Sequence, residues 1–103
     1  MRYNDKDWQE ALDRIEQAKA EGGKMVNLSG LKIQDIPDEL FELAPTLETL
    51  DLDGTLITDA APLAGLTNLK VLYLRHTQIP DAAPLERLTN WGCDIYGIQE
   101  LIK

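Results

Sequence analysis

Leu47, Leu50, Leu52, Thr55, Ile57, Asp59, Pro62, Leu63 and Leu66 return twenty-two residues later as Leu69, Leu72, Leu74, Thr77, Ile79, Asp81, Pro84, Leu85 and Leu88. An earlier copy opens at Val26, Leu28, Leu31 and Ile33, continues through Ile36, Leu40 and Leu43, and is two residues longer; a degenerate fourth opens at Trp91. Such self-similarity leaves few folds open. Leucines that alternate with polar residues point to one face of a short strand, while the residues between them face away. A single unit of this kind cannot bury its apolar face, so the units must stack with their strands parallel and their leucines continuous through the core.

The spacing resembles the leucine-rich-repeat pattern LxxLxLxx(N/T)xI, and the tail IxDxxPLxxL is similar to the units of internalin-type bacterial repeats. The resemblance covers roughly residues 25–92. It implies an α/β fold: a short leucine-rich-repeat solenoid with a parallel concave sheet and one-turn helices or irregular chain on the convex side. Thr55 and Thr77 stand where that family usually has Asn, and a hydroxyl can make part of the same hydrogen bonds. Leu31 stands there in the first unit and cannot, so water or an adjoining segment is expected to satisfy the backbone around it. Asp59 and Asp81, each three residues ahead of a proline, read as starts of one-turn helices.

Ahead of the repeats, residues 4–21 read as an amphipathic helix, with Asn4 as N-cap, Asp5 and Asp7 in the first turn, and Gly22-Gly23 as its stop. Trp8, Leu12, Ile15 and Ala18 share its apolar face, which is expected to cover the open end of the first repeat. The run from Arg14-Ile15 and Ala18-Lys19 through the glycines to Leu28–Pro37 resembles the entry into bacterial leucine-rich-repeat domains. At the other end, Cys93 to Tyr96 is expected to form a last strand, and Ile98, Leu101 and Ile102 a closing helix, so that residues 93–103 form a C-terminal cap. Trp91 is expected in the core in place of a repeat leucine. The whole chain, 1–103, reads as one domain.

Charge and size narrow the function. The net charge of −8 argues against phosphate-backbone binding, and residues 25–68 alone hold eight acidic side chains against one basic. A field of that sign favours encounter with a basic partner. A chain of 103 residues is short for a deep enclosed pocket, which argues against an enzyme. Cys93 is the only cysteine, so no internal disulfide forms and no zinc cluster is spelled out; no cofactor is expected. With no apolar segment at the N-terminus and none of spanning length, a cytoplasmic protein with no membrane contact is expected. The sequon Asn27-Leu28-Ser29 falls inside a strand and would matter only in a secreted protein.

One motif competes with the repeat. Asp51-Leu52-Asp53-Gly54-Thr55-Leu56 matches the nucleophile motif DxDGT of the haloacid dehalogenase phosphatases, in which one Asp attacks a phosphoryl group, the next moves protons, and Mg²⁺ offsets the charge. Those enzymes reach the motif along a buried apolar strand, whereas Glu48 and Thr49 mark a half-exposed one. The same slots in the next unit hold Tyr73 and Arg75, and the downstream Lys, second carboxylate pair and cap domain that those enzymes require would have to come from the about 48 residues that follow, where Asp81 and Asp94 stand isolated. The Asp pair therefore reads as variable repeat positions. His76, the only histidine, reads as a solvated strand-end side chain, and Cys93 as a small buried hydrophobe.

The residues between the leucines are the candidate site. Asn27 and Ser29, then Thr49, Asp51 and Asp53, then Val71, Tyr73, Arg75 and His76 line three columns on the concave face, with Met25, Gly30 and Gly54 beside them. Asp53 and Arg75 share a register and are expected to pair across adjacent strands. The expected function is binding of a protein partner on this face, with Tyr73, Arg75, Asp51 and Asp53 carrying the affinity and the chain itself monomeric or weakly self-associating. A self-associating structural fragment, the repeat portion of a larger signalling protein, and an inhibitor covering a basic enzyme are the other classes the pattern admits.

Overall fold

A computed structural model describes residues 5–80 and 83–97. It begins with helix α1 (Asp5–Ala20), followed by four three-residue strands: β1 (Met25–Asn27), β2 (Thr49–Asp51), β3 (Val71–Tyr73) and β4 (Asp94–Tyr96). The strands form one parallel sheet in chain order, in the register Val26, Leu50, Leu72, Ile95. Successive repeats return the chain through 3₁₀ turns at Asp38–Leu43, Ala61–Gly65 and Ala83–Leu85, the last running into the short helix α2 (Glu86–Asn90). Asn4, Asp81, Ile98, Leu101 and Ile102, and with them most of the expected C-terminal cap, lie outside the described residues.

Three residues per strand is short, yet the ladder continues past each strand. Leu28 and Gly30 donate backbone N–H groups to the carbonyls of Asp51 and Asp53, and Leu52 and Gly54 donate to Tyr73 and Arg75 one repeat on. Every second residue buries its side chain: Leu28, Leu50, Leu52, Leu72 and Leu74 are fully buried, joined from the return segments by Leu40, Leu63, Leu66 and Leu85. Each such leucine contributes about 1.5–3 kcal/mol through burial, far more than a three-residue ladder supplies. Side chains also bind unit to unit. Thr46 Oγ1 donates to Gly23 O at 2.8 Å, and at the equivalent position Asn68 Nδ2 donates to Ala44 O and Pro45 O.

The expected turn chemistry is present at the threonines. Thr55 is fully buried, and its hydroxyl donates to Leu52 O at 2.8 Å; Thr77 repeats the bond to Leu74 O at 2.9 Å. Where Leu31 breaks the pattern, helix α1 intervenes, with Asp7 Oδ2 accepting the Lys32 N–H at 2.7 Å. Asp59 accepts the Ala61 N–H at the start of its 3₁₀ turn, as its position ahead of Pro62 predicts.

Helix α1 stops at Gly22-Gly23. Gly23 N–H reaches Ala18 O and Gly22 N–H reaches Lys19 O, with both glycines at positive φ, the hydrogen-bond pattern of a Schellman stop. The helix packs on β1 and the first 3₁₀ turn, tied there by Lys19 to Glu42 at 2.7 Å, a hydrogen bond and charge that raise the Lys19 pKa. Its buried stripe is Ala11, Ile15 and Ala18, with Trp8 partly buried against the core, while Leu12 is half-buried and outside that cluster. This corrects the expected face, in which Leu12 stood: a spacing of three, four and three places Ala11 on the contact line, where a methyl group lets the helix approach closely.

Trp91 is also corrected. It is 61% exposed, and Cys93, 5% exposed, fills the core place that follows Leu88. The reason lies in α2. The third unit ends its return segment in an α-helix closed by another Schellman stop, with Cys93 N–H on Leu88 O, Gly92 N–H on Thr89 O and Gly92 at φ 92°. That turn adds a residue, so Leu72 pairs with Ile95, and Trp91 is left outside as the helix C-cap.

Candidate functional site

All nine candidate residues lie on the solvent side of the sheet or at its exit, and none of them is buried. The register makes rows across the strands: Met25, Thr49, Val71 and Asp94 in one, and Asn27, Asp51, Tyr73 and Tyr96 in the next. Ser29, Asp53 and Arg75 continue the columns of the first three strands. The platform thus has four columns rather than three, because β4 adds Asp94 and Tyr96. The alternation of Cys93 and Ile95 with Asp94 and Tyr96 holds the signal for this, but a fixed period of twenty-two residues puts Ile95 rather than Tyr96 beside Tyr73.

The aromatic end of the face is built from two rings and a guanidinium. Tyr73 and Tyr96 stack with ring centroids 5.3 Å apart and planes 18° from parallel, and the Arg75 guanidinium carbon lies 5.2 Å from the Tyr73 centroid. Gly97 makes this possible, since a Cβ there would collide with the Arg75 backbone. Only a glycine lets the chain leaving β4 pass so close to β3.

The polar end is a set of strand-exit turns. In the first unit Asn27 Oδ1 accepts the Ser29 N–H at 2.9 Å, and in the second Asp51 Oδ1 accepts the Asp53 N–H at 3.0 Å. In the third, Tyr73 occupies that position and has no short acceptor. Asp53 reaches across from the neighbouring unit instead: its Oδ1 accepts the Arg75 N–H at 2.7 Å and its Oδ2 pairs with Arg75 Nε at 3.2 Å. The expected Asp53–Arg75 pair is therefore present, and half of it is a backbone contact that the sequence did not reveal. The next residue in each unit takes a left-handed conformation, at Gly30, Gly54 and His76, the last with φ 61°. His76 is exposed, as read from the sequence. At the far edge, an open groove of about 470 Å³ between α1 and β1 is lined by Arg14, Gln17, Met25, Asn27 and Ser29 among others.

Residues 45–90 match the family model described as leucine rich repeats (2 copies). This segment is a pair of leucine-rich repeats. Leucine-rich-repeat domains generally mediate protein–protein interaction and are typically non-enzymatic. The matched segment contains Asp51-Leu52-Asp53-Gly54-Thr55, whose carboxylates and threonine serve the repeat's own strand exit, and nothing in the match points to a phosphatase. Among the described residues no cluster of three or more His, Cys, Asp or Glu could hold a metal ion, and no helix is long and apolar enough to cross a membrane. A search of curated proteins finds no match.

Proposed function

We propose that this leucine-rich-repeat chain binds a protein partner on the exposed, concave face of its sheet. The observation that carries this reading is the row Asp51, Tyr73 and Tyr96 with Arg75 laid over it: tyrosines, an arginine and carboxylates prealigned on a hydrogen-bonded sheet. Tyr and Arg are the residue types that most often anchor interfaces, and a rigid platform spares the partner the cost of ordering them. Asn27, Ser29, Thr49, Val71 and His76 form the surround. The fold in this reading is a short internalin-like solenoid forming a single domain over residues 1–103, in which α1 caps the first repeat and β4 follows the last. The molecule acts in the cytoplasm as a monomer or weak self-associate.

Size-exclusion chromatography over a range of concentrations distinguishes a monomer from a self-associating fragment. Affinity for a captured protein partner should fall about tenfold or more in Tyr73→Ala and measurably in Asp51→Ala. Unchanged affinity in both would remove the face from consideration.

A further inference from the structure

On that reading of the face, we propose that Asp53 and the Tyr73 ring form a slot for a guanidinium group, held in the free chain by Arg75 and taken in the complex by an arginine of the partner. The slot is built by the backbone. The Arg75 N–H fixes Asp53 Oδ1 at 2.7 Å whatever the Arg75 side chain does, which leaves Oδ2 aimed at the guanidinium. One wall is the Tyr73 ring, braced by the stacked Tyr96 ring. A carboxylate beside an aromatic face is the environment a guanidinium selects over an ammonium, because it can hydrogen-bond in its plane while stacking on the ring.

Arg75 is a weak tenant. Its side chain is 52% exposed, touches Asp53 through Nε at 3.2 Å, and stands in the turn after β3, just before the left-handed His76. An exposed pair of this kind adds about 0–1 kcal/mol, so a partner's arginine can displace it at small cost. Charge complementarity names the occupant: Asp51 lies next to Tyr73 in the row, with no donor on its Oδ2 among the described residues, and residues 25–68 carry eight acidic side chains against one basic. The partner segment is therefore basic, and its arginine enters at Asp53.

Fluorescence anisotropy with a labelled Thr-Arg-Thr-Arg-Thr peptide and its lysine and citrulline counterparts tests the slot in the full chain. Arg75→Ala should bind the arginine peptide about fivefold or more tighter than wild type, because it empties the slot without moving Asp53, and Tyr73→Leu should abolish the gain. Lys70→Ala removes the same charge from a neighbouring position, paired with Glu48, and should change affinity less than about twofold. Arginine should exceed lysine, and citrulline should fail. Equal gains in Arg75→Ala and Lys70→Ala, a loss in Arg75→Ala, or lysine binding as well as arginine would overturn the slot. Each of those results leaves the face reading intact if a captured partner still loses affinity in Tyr73→Ala; insensitivity of that partner to Tyr73→Ala and Asp51→Ala ends the face reading by itself.

Discussion

Asp53→Ala and Arg75→Ala remove opposite ends of one contact, and the structure predicts that they cost very different amounts. Arg75→Ala deletes an ion pair at 3.2 Å whose partners are 52% and 23% exposed, together with the stacking over Tyr73. A pair this exposed contributes about 0–1 kcal/mol. Asp53→Ala deletes the same pair and also the 2.7 Å hydrogen bond from the Arg75 N–H, a charge-assisted bond between two repeats. Bonds to charged acceptors contribute roughly 1.5–3 kcal/mol, so the total loss is about 2–3 kcal/mol after water recovers part of the exposed N–H. With a urea m-value of about 1.5 kcal/mol/M, Asp53→Ala should lower the unfolding midpoint by about 1–2 M and Arg75→Ala by less than about 0.7 M. Raising NaCl to about 0.5 M should shrink the Arg75→Ala effect, because exposed pairs are screened, and leave most of the Asp53→Ala effect. A further substitution tests the cause. Tyr73→Asn supplies the short acceptor that Asn27 and Asp51 provide in the earlier units, and in that background Asp53→Ala should cost about half as much. Equal midpoint shifts for the two alanine variants, or an Asp53→Ala cost that disappears with salt, would refute the reasoning.

Four other outcomes follow from the packing. Leu72→Ala empties a fully buried site in the middle of the stack and should destabilise the chain by about 2–5 kcal/mol, seen as a large loss of the urea midpoint. Gly97→Ala cannot seat its Cβ against the Arg75 backbone, so β4 should detach and the near-ultraviolet circular dichroism of the Tyr73–Tyr96 pair should fall, whereas Gly65→Ala, with open space around it, should leave that signal unchanged. His76→Val forces a β-branched side chain into a left-handed backbone and should cost more than about 1 kcal/mol in thermal unfolding, while His76→Gly, the residue at the equivalent positions 30 and 54, should be neutral or stabilising. Burial, with the charge of Asp94, pushes the Cys93 thiol up to about 11, so it should react with a disulfide reagent at pH 8 much more slowly in the folded chain than in the urea-unfolded chain; because the folded state holds the thiol proton more tightly, stability should fall as pH rises from about 9 to about 11, and a Cys93→Ala variant should lose that component.

The repeat itself was legible without coordinates, since stacking imposes one demand on every unit. Leu50, Leu52, Leu72 and Leu74 must face inward whatever else the chain does, and the residues between them must face out. That periodicity determined the parallel sheet, its order, and the side on which Asp51, Asp53, Tyr73 and Arg75 stand. Tertiary structure decided what periodicity does not encode. A helical stop at Gly92 lengthened the third return by one residue, which exposed Trp91, buried Cys93 and brought Tyr96 against Tyr73. The close approach of α1 selected Ala11 over Leu12, because a helix resting on a strand is placed by its smallest contact residue as much as by its largest. Asp53 shows the same division. Its exposure and its pairing with Arg75 follow from register, but its bond to the neighbouring repeat's backbone exists because Tyr73 removed the local acceptor, and only the folded chain brings that vacancy within its reach.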